Sequence, residues 1–152
     1  MRRLAVAIAT TGGLGYAPIA PGTVGSAAGL GIYLLTSHWT VPAQIGLAAA
    51  VTLIGVWAAH EAAAHFNRSD PSPVVIDEVA GQLVTLLGTG VGLGGAIVGF
   101  FLFRALDIWK PWPARQLEAL HGGVGIVADD VMAALYGCAI MHLLVWWIPG
   151  MR

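Results

Sequence analysis

Residues 79–103 read VAGQLVTLLGTGVGLGGAIVGFFLF, and the interpretation of this stretch decides the fold. It carries no formal charge and is long enough for one straight helix to cross a hydrocarbon layer of about 30 Å. Its middle argues against a straight helix. Gly88, Gly90, Gly92, Gly94 and Gly95 crowd together there, and each glycine costs a helix interior up to about 1 kcal/mol in lost backbone freedom. A helix broken at these residues leaves two arms of about nine residues, too short to cross alone at about 1.5 Å per residue. The stretch is therefore expected to enter an apolar phase as a helical hairpin and return.

The consequence is topological. The 152-residue chain holds only seven basic and eight acidic side chains. Apart from Arg2, Arg3 and Arg152 at the ends, all of them fall in two windows, 61–78 and 104–130. A straight span would put the two windows on opposite faces of a membrane, whereas a hairpin puts them on one. It also sets Arg68, Arg104, Lys110 and Arg115 beside Arg2 and Arg3, on the side that the positive-inside tendency makes cytoplasmic.

Composition supports a membrane setting. Hydrophobic residues make up 57% and charged residues 10%, where a typical soluble domain has about 25% charged. No charged side chain occurs in Leu4–His60, Val79–Phe103 or Val131–Met151, a surface suited to lipid and not to water. The expected fold is all-α, an integral membrane helical bundle of short and hairpin-broken helices in a single domain over residues 1–152. Besides the hairpin, helices are expected at about Val24–Leu35 and Ala43–Ala59, with Val41-Pro42 turning between them. These two are about 18 and 26 Å long, slightly short of a bilayer unless flanking residues join. A last helix runs over Val131–Ile148 and stops at Pro149-Gly150. Trp39, Trp57, Trp109, Trp112, Trp146 and Trp147 sit near segment ends, where an interfacial aromatic belt is the ordinary reading and substrate contact by Trp109 or Trp112 the lesser one. Leu4–Ala9, after Arg2-Arg3, is shorter than the apolar core of a signal peptide and is read as mature sequence. No basic stripe points to nucleic acid as a partner. Cys138 is alone, so it has no internal disulfide partner and reads as a small core residue.

The acidic residues carry the chemistry. Asp77-Glu78 abuts the first arm of the hairpin, Asp107 follows the second, and Asp129-Asp130 precedes the last helix. Ionisable groups at membrane depth are costly unless paired or coordinated, which makes them functional candidates. Helix capping accounts for Asp129-Asp130, but not for five carboxylates converging with so few bases. A carboxylate cluster is hard-oxygen ligation suited to Mg²⁺ or Mn²⁺, and such a site supports metal-assisted hydrolysis of a phosphate ester. Arg104, Asp107 and Lys110 recur at three-residue spacing on one helical face, until Pro111 and Pro113 stop the helix. Arg104 and Lys110 either hold the phosphate or pair with Asp107. The run Ala20-Pro21-Gly22-Thr23-Val24-Gly25-Ser26 reads either as a phosphate cradle using Gly22, Thr23 and Ser26, or as a plain turn with a helix cap. Gly122-Gly123-Val124-Gly125 is a flexible loop delivering the aspartates, or a turn. His60-Glu61 with His65 has the wrong spacing for a zinc-protease helix, and no serine sits in a nucleophile-elbow context.

Four stretches taken together resemble the phosphatidylglycerophosphatase A family. They are Pro18–Ser26, Val74–Glu78, the run Phe103-Arg104-Ala105-Leu106-Asp107-Ile108-Trp109-Lys110-Pro111-Trp112-Pro113, and Gly122–Asp130. Asp70, seven residues before Asp77, fits the same pattern, while Ala133-Ala134 stands where the family usually has Ala-Gly. The resemblance implies an all-helical, Mg²⁺-dependent phosphatase of the bacterial inner membrane. It would convert phosphatidylglycerophosphate, a phospholipid in the membrane, to phosphatidylglycerol and inorganic phosphate. On that reading Asp77, Glu78, Asp107, Asp129 and Asp130 surround one or two Mg²⁺ ions at the cytoplasmic face. Asp77, Asp107, Asp130 and Lys110 are the catalytic candidates. Arg104 and Lys110 neutralise the phosphate, and Gly22, Thr23 and Ser26 cradle it. The rival readings are a phosphatase for another lipid phosphate, a membrane cation pathway, and a structural subunit with buried ion pairs. The oligomeric state is left open.

Overall fold

The break in the middle of residues 79–103 is real but narrower than the glycine run. In the computed structural model, which describes residues 1–151 and leaves Arg152 outside them, α4 covers Ile76–Thr85 and α5 covers Leu93–Trp109. Gly88 and Gly90 take φ of +67° and +62°, the left-handed region that glycine enters without steric cost. Gly94 and Gly95 instead lie inside the first turn of α5. The arms are therefore unequal, 10 and 17 residues. The hairpin still closes at the end that matters, because Arg104 near the end of α5 lies 3.9 Å from Glu78 in the first turn of α4.

Around the hairpin stand α1 (Arg2–Ala9), α2 (Pro21–Thr36), α3 (Val41–Phe66), the short α6 (Ala114–Leu117) and α7 (Gly123–Trp147). Short 3-10 turns occupy Leu14–Tyr16 and Pro149–Met151, and no strand occurs among the described residues. Both α3, with 26 residues, and α7, with 25, are long and apolar enough to cross a membrane. Four boundaries differ from expectation, one of them the end of α3, which runs to Phe66 and not Ala59. Val41-Pro42 is not a turn but the first turn of α3, where the missing proline N–H leaves no helix bond unmade. Helix α2 starts at Pro21, not Val24, for the same reason. Helix α7 starts at Gly123, so Gly122–Gly125 is not a loop and Asp129-Asp130 lies in the second turn instead of at the cap. The glycine at 123 is required there: a methyl group would overlap the Val56 carbonyl oxygen of α3.

Helix α4 is the centre of the bundle, packed against α2, α3, α5 and α7. The contacting surfaces are small-residue surfaces. Gly29 brings α2 so close to α4 that a Cβ there would lie 2.9 Å from the Val79 carbonyl oxygen. Ala58, Ala59 and Ala62 of α3 and Ala133, Ala134 and Gly137 of α7 are likewise buried. In lipid, apolar side chains gain little by burial, and helices associate through close van der Waals contact, which small residues permit. The outside fits the same physics. Leu53, Phe101, Leu143 and all six tryptophans are exposed, while Asp77, Asp107, Asp129 and Asp130 are buried. Cys138 is half-buried, with its thiol directed at the Leu87 carbonyl oxygen.

Candidate active site

Four elements bring the charged residues to one cavity of about 650 Å³ at the end of the bundle. The first turn of α4 supplies Asp77 and Glu78, and the second turn of α7 supplies Asp129 and Asp130. The last turns of α5 supply Arg104 and Asp107, and Lys110 follows at the C-cap with φ of 50°. The start of α2 adds Ala20, Pro21 and Gly22. Because α4 and α7 pack tightly, one carboxylate oxygen each from Asp77, Glu78 and Asp130 lies within 4.8 Å of the other two.

The cations are held in place by the remaining acids. Arg104 donates a hydrogen bond to Asp107 from one helical turn away, and Lys110 Nζ donates to Asp129 Oδ2 at 2.6 Å. Lys110 also lies 3.3 Å from Glu118 Oε2. Burial by itself lowers the Lys110 ammonium, but its hydrogen bond to Asp129 and the charges of Asp129 and Glu118 outweigh that and hold it above its ordinary value. It is charged at every physiological pH. Asp70, on the loop between α3 and α4, also lines the cavity. Burial pushes its carboxyl up, the nearby charges of Glu118 and Asp107 add to the rise, and Lys110 opposes it.

The trio and the neighbouring Asp129 are unfinished as protein alone. Asp77 Oδ1, Glu78 Oε2, Asp129 Oδ1 and Asp130 Oδ2 are buried without a hydrogen-bond partner. Leaving an ionised carboxylate buried and unpaired costs several kcal/mol or more. A divalent cation removes that penalty, and an all-oxygen donor set matches Mg²⁺, which binds through one or two carboxylates and completes its shell with other oxygens. The residues present thus fit a hard cation.

Of the residues singled out from the sequence, Asp77, Glu78, Asp107, Asp129, Asp130, Arg104, Lys110 and Gly22 all reach this cavity. They divide into the trio of Asp77, Glu78 and Asp130 and the two ion pairs. Thr23 and Ser26 do not line it. The earlier start of α2 puts both inside the helix. Thr23 faces out, and Ser26 is fully buried, donating to the Gly22 carbonyl oxygen at 3.0 Å, the usual bond of a serine within a helix. His60 and His65 also lie outside the lining. Glu118, Ser69, Ser72 and His121 line the cavity and were not singled out. The weak sequence signal for Glu118 was its place in the second charged window. Its pairing needs α6 to fold the chain back toward Lys110.

Clustered carboxylates faced by an arginine and a lysine, at one end of an apolar helical bundle, form a candidate site suited to a lipid phosphate, and by family the chain is a lipid phosphatase. The chain belongs to the phosphatidylglycerophosphatase A family, whose model matches residues 7–145. It is 33% identical to the phosphatidylglycerophosphatase A of Escherichia coli strain K12, over 87% of this chain and 78% of that protein. It is 34% identical to the phosphatidylglycerophosphatase A of Haemophilus influenzae, over 90% and 85%. It is also 36% identical to a putative phosphatidylinositol-3-phosphatase of Bacteroides thetaiotaomicron, over 95% and 96%. No solved structure matches the chain.

Proposed function

We propose that the chain is a Mg²⁺-dependent phosphatase that hydrolyses phosphatidylglycerophosphate to phosphatidylglycerol and inorganic phosphate. The observation that carries this reading is the trio of Asp77, Glu78 and Asp130 within 4.8 Å, facing the same cavity as Arg104 and Lys110. Carboxylates alone suit a cation. Carboxylates with two fixed bases suit a cation together with a phosphate, and speak against a cation pathway, which the bases would obstruct.

Asp77, Glu78 and Asp130 would hold Mg²⁺, while Asp129 stands outside that trio and pairs with Lys110. When bound, the ion supplies positive charge against the phosphoryl oxygens and makes an attacking water more acidic. Lys110 and Arg104 bind the phosphate and orient it, and their partners Asp129 and Asp107 fix the two side chains beforehand. The opening turn of α2 presents Gly22 to the cavity, where a helix N-terminus favours an anion. The exposed apolar flanks of α3, α5 and α7 leave the acyl chains in lipid while the headgroup enters the cavity. The charge asymmetry supports a cavity at the cytoplasmic face of a bacterial inner membrane, with a multi-pass topology.

A second reading keeps the site and changes the headgroup. It is favoured by the likeness to the putative phosphatidylinositol-3-phosphatase, which spans nearly the whole chain. One experiment tests both: phosphate release by the purified protein in detergent micelles, from phosphatidylglycerophosphate and from phosphatidylinositol 3-phosphate, with Mg²⁺ and with EDTA. The reading expects Mg²⁺-dependent release from the first substrate well above the second. The reverse preference selects the second reading. No release from either, with a control phosphatase active in the same micelles, removes both.

A further inference from the structure

Both lipids considered above carry two phosphates, the monoester that is cleaved and the diester that joins the headgroup to diacylglycerol. The catalytic cavity accounts for the first. A separate hollow of about 340 Å³ stands beside it, and Ser69 and Gly122 line both. Its polar lining is of the opposite kind. His60, Asn67, Arg68 and Ser69 offer N–H and O–H donors there, and no carboxylate lines it. Arg68 makes no ion pair among the described residues, which leaves its guanidinium for a ligand. Its backbone is nonetheless fixed. Asn67 ends α3 in the left-handed conformation, and the N–H groups of Asn67 and Arg68 both donate to the Ala63 carbonyl oxygen. The cap thereby occupies a carbonyl that would otherwise repel an anion. On the other wall, Gly122 lies so close to His60 that a methyl group there would overlap the imidazole.

The hollow also stands at the depth that a lipid diester needs. Helix α3 starts at Val41, just after the exposed Trp39. At about 1.5 Å per residue, His60 comes about 28 Å further along, close to the thickness of the hydrocarbon layer. Toward the membrane, Thr52 and Val56 of α3 form an apolar groove with Val124, Val131 and Leu135 of α7. Val56 stands one turn before His60, so groove and hollow follow each other along one face of α3. Resting on the phosphatase reading above, we propose that the hollow around His60 and Arg68 is a subsite for the diester phosphate of a glycerophospholipid substrate. An acyl chain lies in the α3–α7 groove, the diester meets Arg68 and His60 at the edge of the hydrocarbon, and the headgroup passes Gly122 to put its monoester in the catalytic cavity. The dephosphorylated lipid returns along the same groove. Arg68 is then a specificity residue: phosphatidate, whose single phosphate is joined directly to diacylglycerol, cannot fill both places.

The two products separate the two places, since the lipid product carries only the diester and inorganic phosphate occupies only the catalytic cavity. Full-length wild type, Arg68→Gln, Arg68→Lys, Ala64→Phe and Arg115→Gln are compared in neutral detergent micelles with Mg²⁺, on phosphatidylglycerophosphate and on phosphatidylinositol 3-phosphate. Arg68→Gln is expected to raise KM about 10-fold with kcat within about threefold, and to weaken inhibition by the lipid product about 10-fold. Inhibition by inorganic phosphate should stay within about twofold, and Arg68→Lys should recover part of the KM. Ala64→Phe fills the hollow from an exposed position and removes no charge, and it should raise KM as well. An unchanged KM in Arg68→Gln or in Ala64→Phe overturns the proposal. So does a loss of inhibition shared equally by the two products, or a wild type that the lipid product does not inhibit. Arg115 is an exposed base outside both cavities; an equal rise in KM for Arg115→Gln overturns the subsite in favour of a diffuse pull of basic surface on anionic lipid. Wild type inactive on both lipids overturns the phosphatase reading and the subsite with it, whereas active wild type with any of the contrary results overturns the subsite alone.

Discussion

Replacing Asp130 by Asn should make the metal-free protein more stable and the metal-loaded protein no better. The argument starts from spacing. Asp77, Glu78 and Asp130 each place an oxygen within 4.8 Å of the other two. At that separation two unit charges repel by about 3.5 kcal/mol if the effective dielectric constant is about 20. Arg104, 3.9 Å from Glu78, and solvent in the cavity offset much of this. About 1–2 kcal/mol of net relief per removed charge is a reasonable expectation. For a chain of this length, that corresponds to a rise of about 2–8 °C in Tm. With Mg²⁺ the order reverses. A cation that binds only the folded state stabilises it by about 2.7 kcal/mol when present at about 100 times its Kd. Wild type should therefore climb steeply on addition of Mg²⁺ and Asp130→Asn should stay nearly flat, so that the two curves cross. The assay is thermal unfolding in one detergent, followed by tryptophan fluorescence, with EDTA and across a Mg²⁺ titration. If Asp130→Asn is less stable than wild type in EDTA and keeps the full Mg²⁺ increment, the trio is a structural cluster and the metal argument fails.

The other predictions concern the groups facing the trio. Lys110→Met removes a phosphate contact and leaves the buried Asp129 carboxylate without the 2.6 Å hydrogen bond that holds it. It should lower kcat/KM for the lipid phosphate by at least about 100-fold and cost about 1–3 kcal/mol of stability. Lys110→Arg should recover stability more fully than activity, which steady-state kinetics and thermal unfolding on the same samples would check. Gly22→Ala places a methyl against the Glu78 carboxylate, with Arg104 just beyond it. It should weaken the Mg²⁺ requirement curve and reduce turnover by about 10-fold or more without unfolding the protein. An unchanged Mg²⁺ titration in that variant would separate the start of α2 from the site.

Much of the architecture follows from local chemistry. Gly88 and Gly90 break the helix by taking a left-handed backbone that glycine enters without steric cost. The segregation of charge into two windows then requires those windows to meet, because a lone charge in apolar surroundings is too costly to keep. From this come the hairpin, the all-helical class and the gathering of Asp77, Glu78, Arg104, Asp107, Lys110, Asp129 and Asp130. The alternatives left open at those residues needed the tertiary structure. Spacing along one helix allows Arg104 to pair with Asp107, but only the packing of α5 beside α4 and α7 shows Arg104 also near Glu78 and Lys110 on Asp129. Helix ends were the weak point. Pro21, Pro42 and Gly123 read as turns in isolation, yet each begins a helix, because the first turn needs no proline N–H and because the α7 backbone must lie on Val56. That shift put Thr23 and Ser26 inside α2 and away from the cavity. The division of five carboxylates into a trio and two cation-bound partners depends on distances between three helices far apart in sequence. The sequence by itself determined which groups must come together, because charge in an apolar chain has nowhere else to go. Only the tertiary structure decided which oxygen faces which neighbour, because close packing through small residues sets those distances to within an ångström.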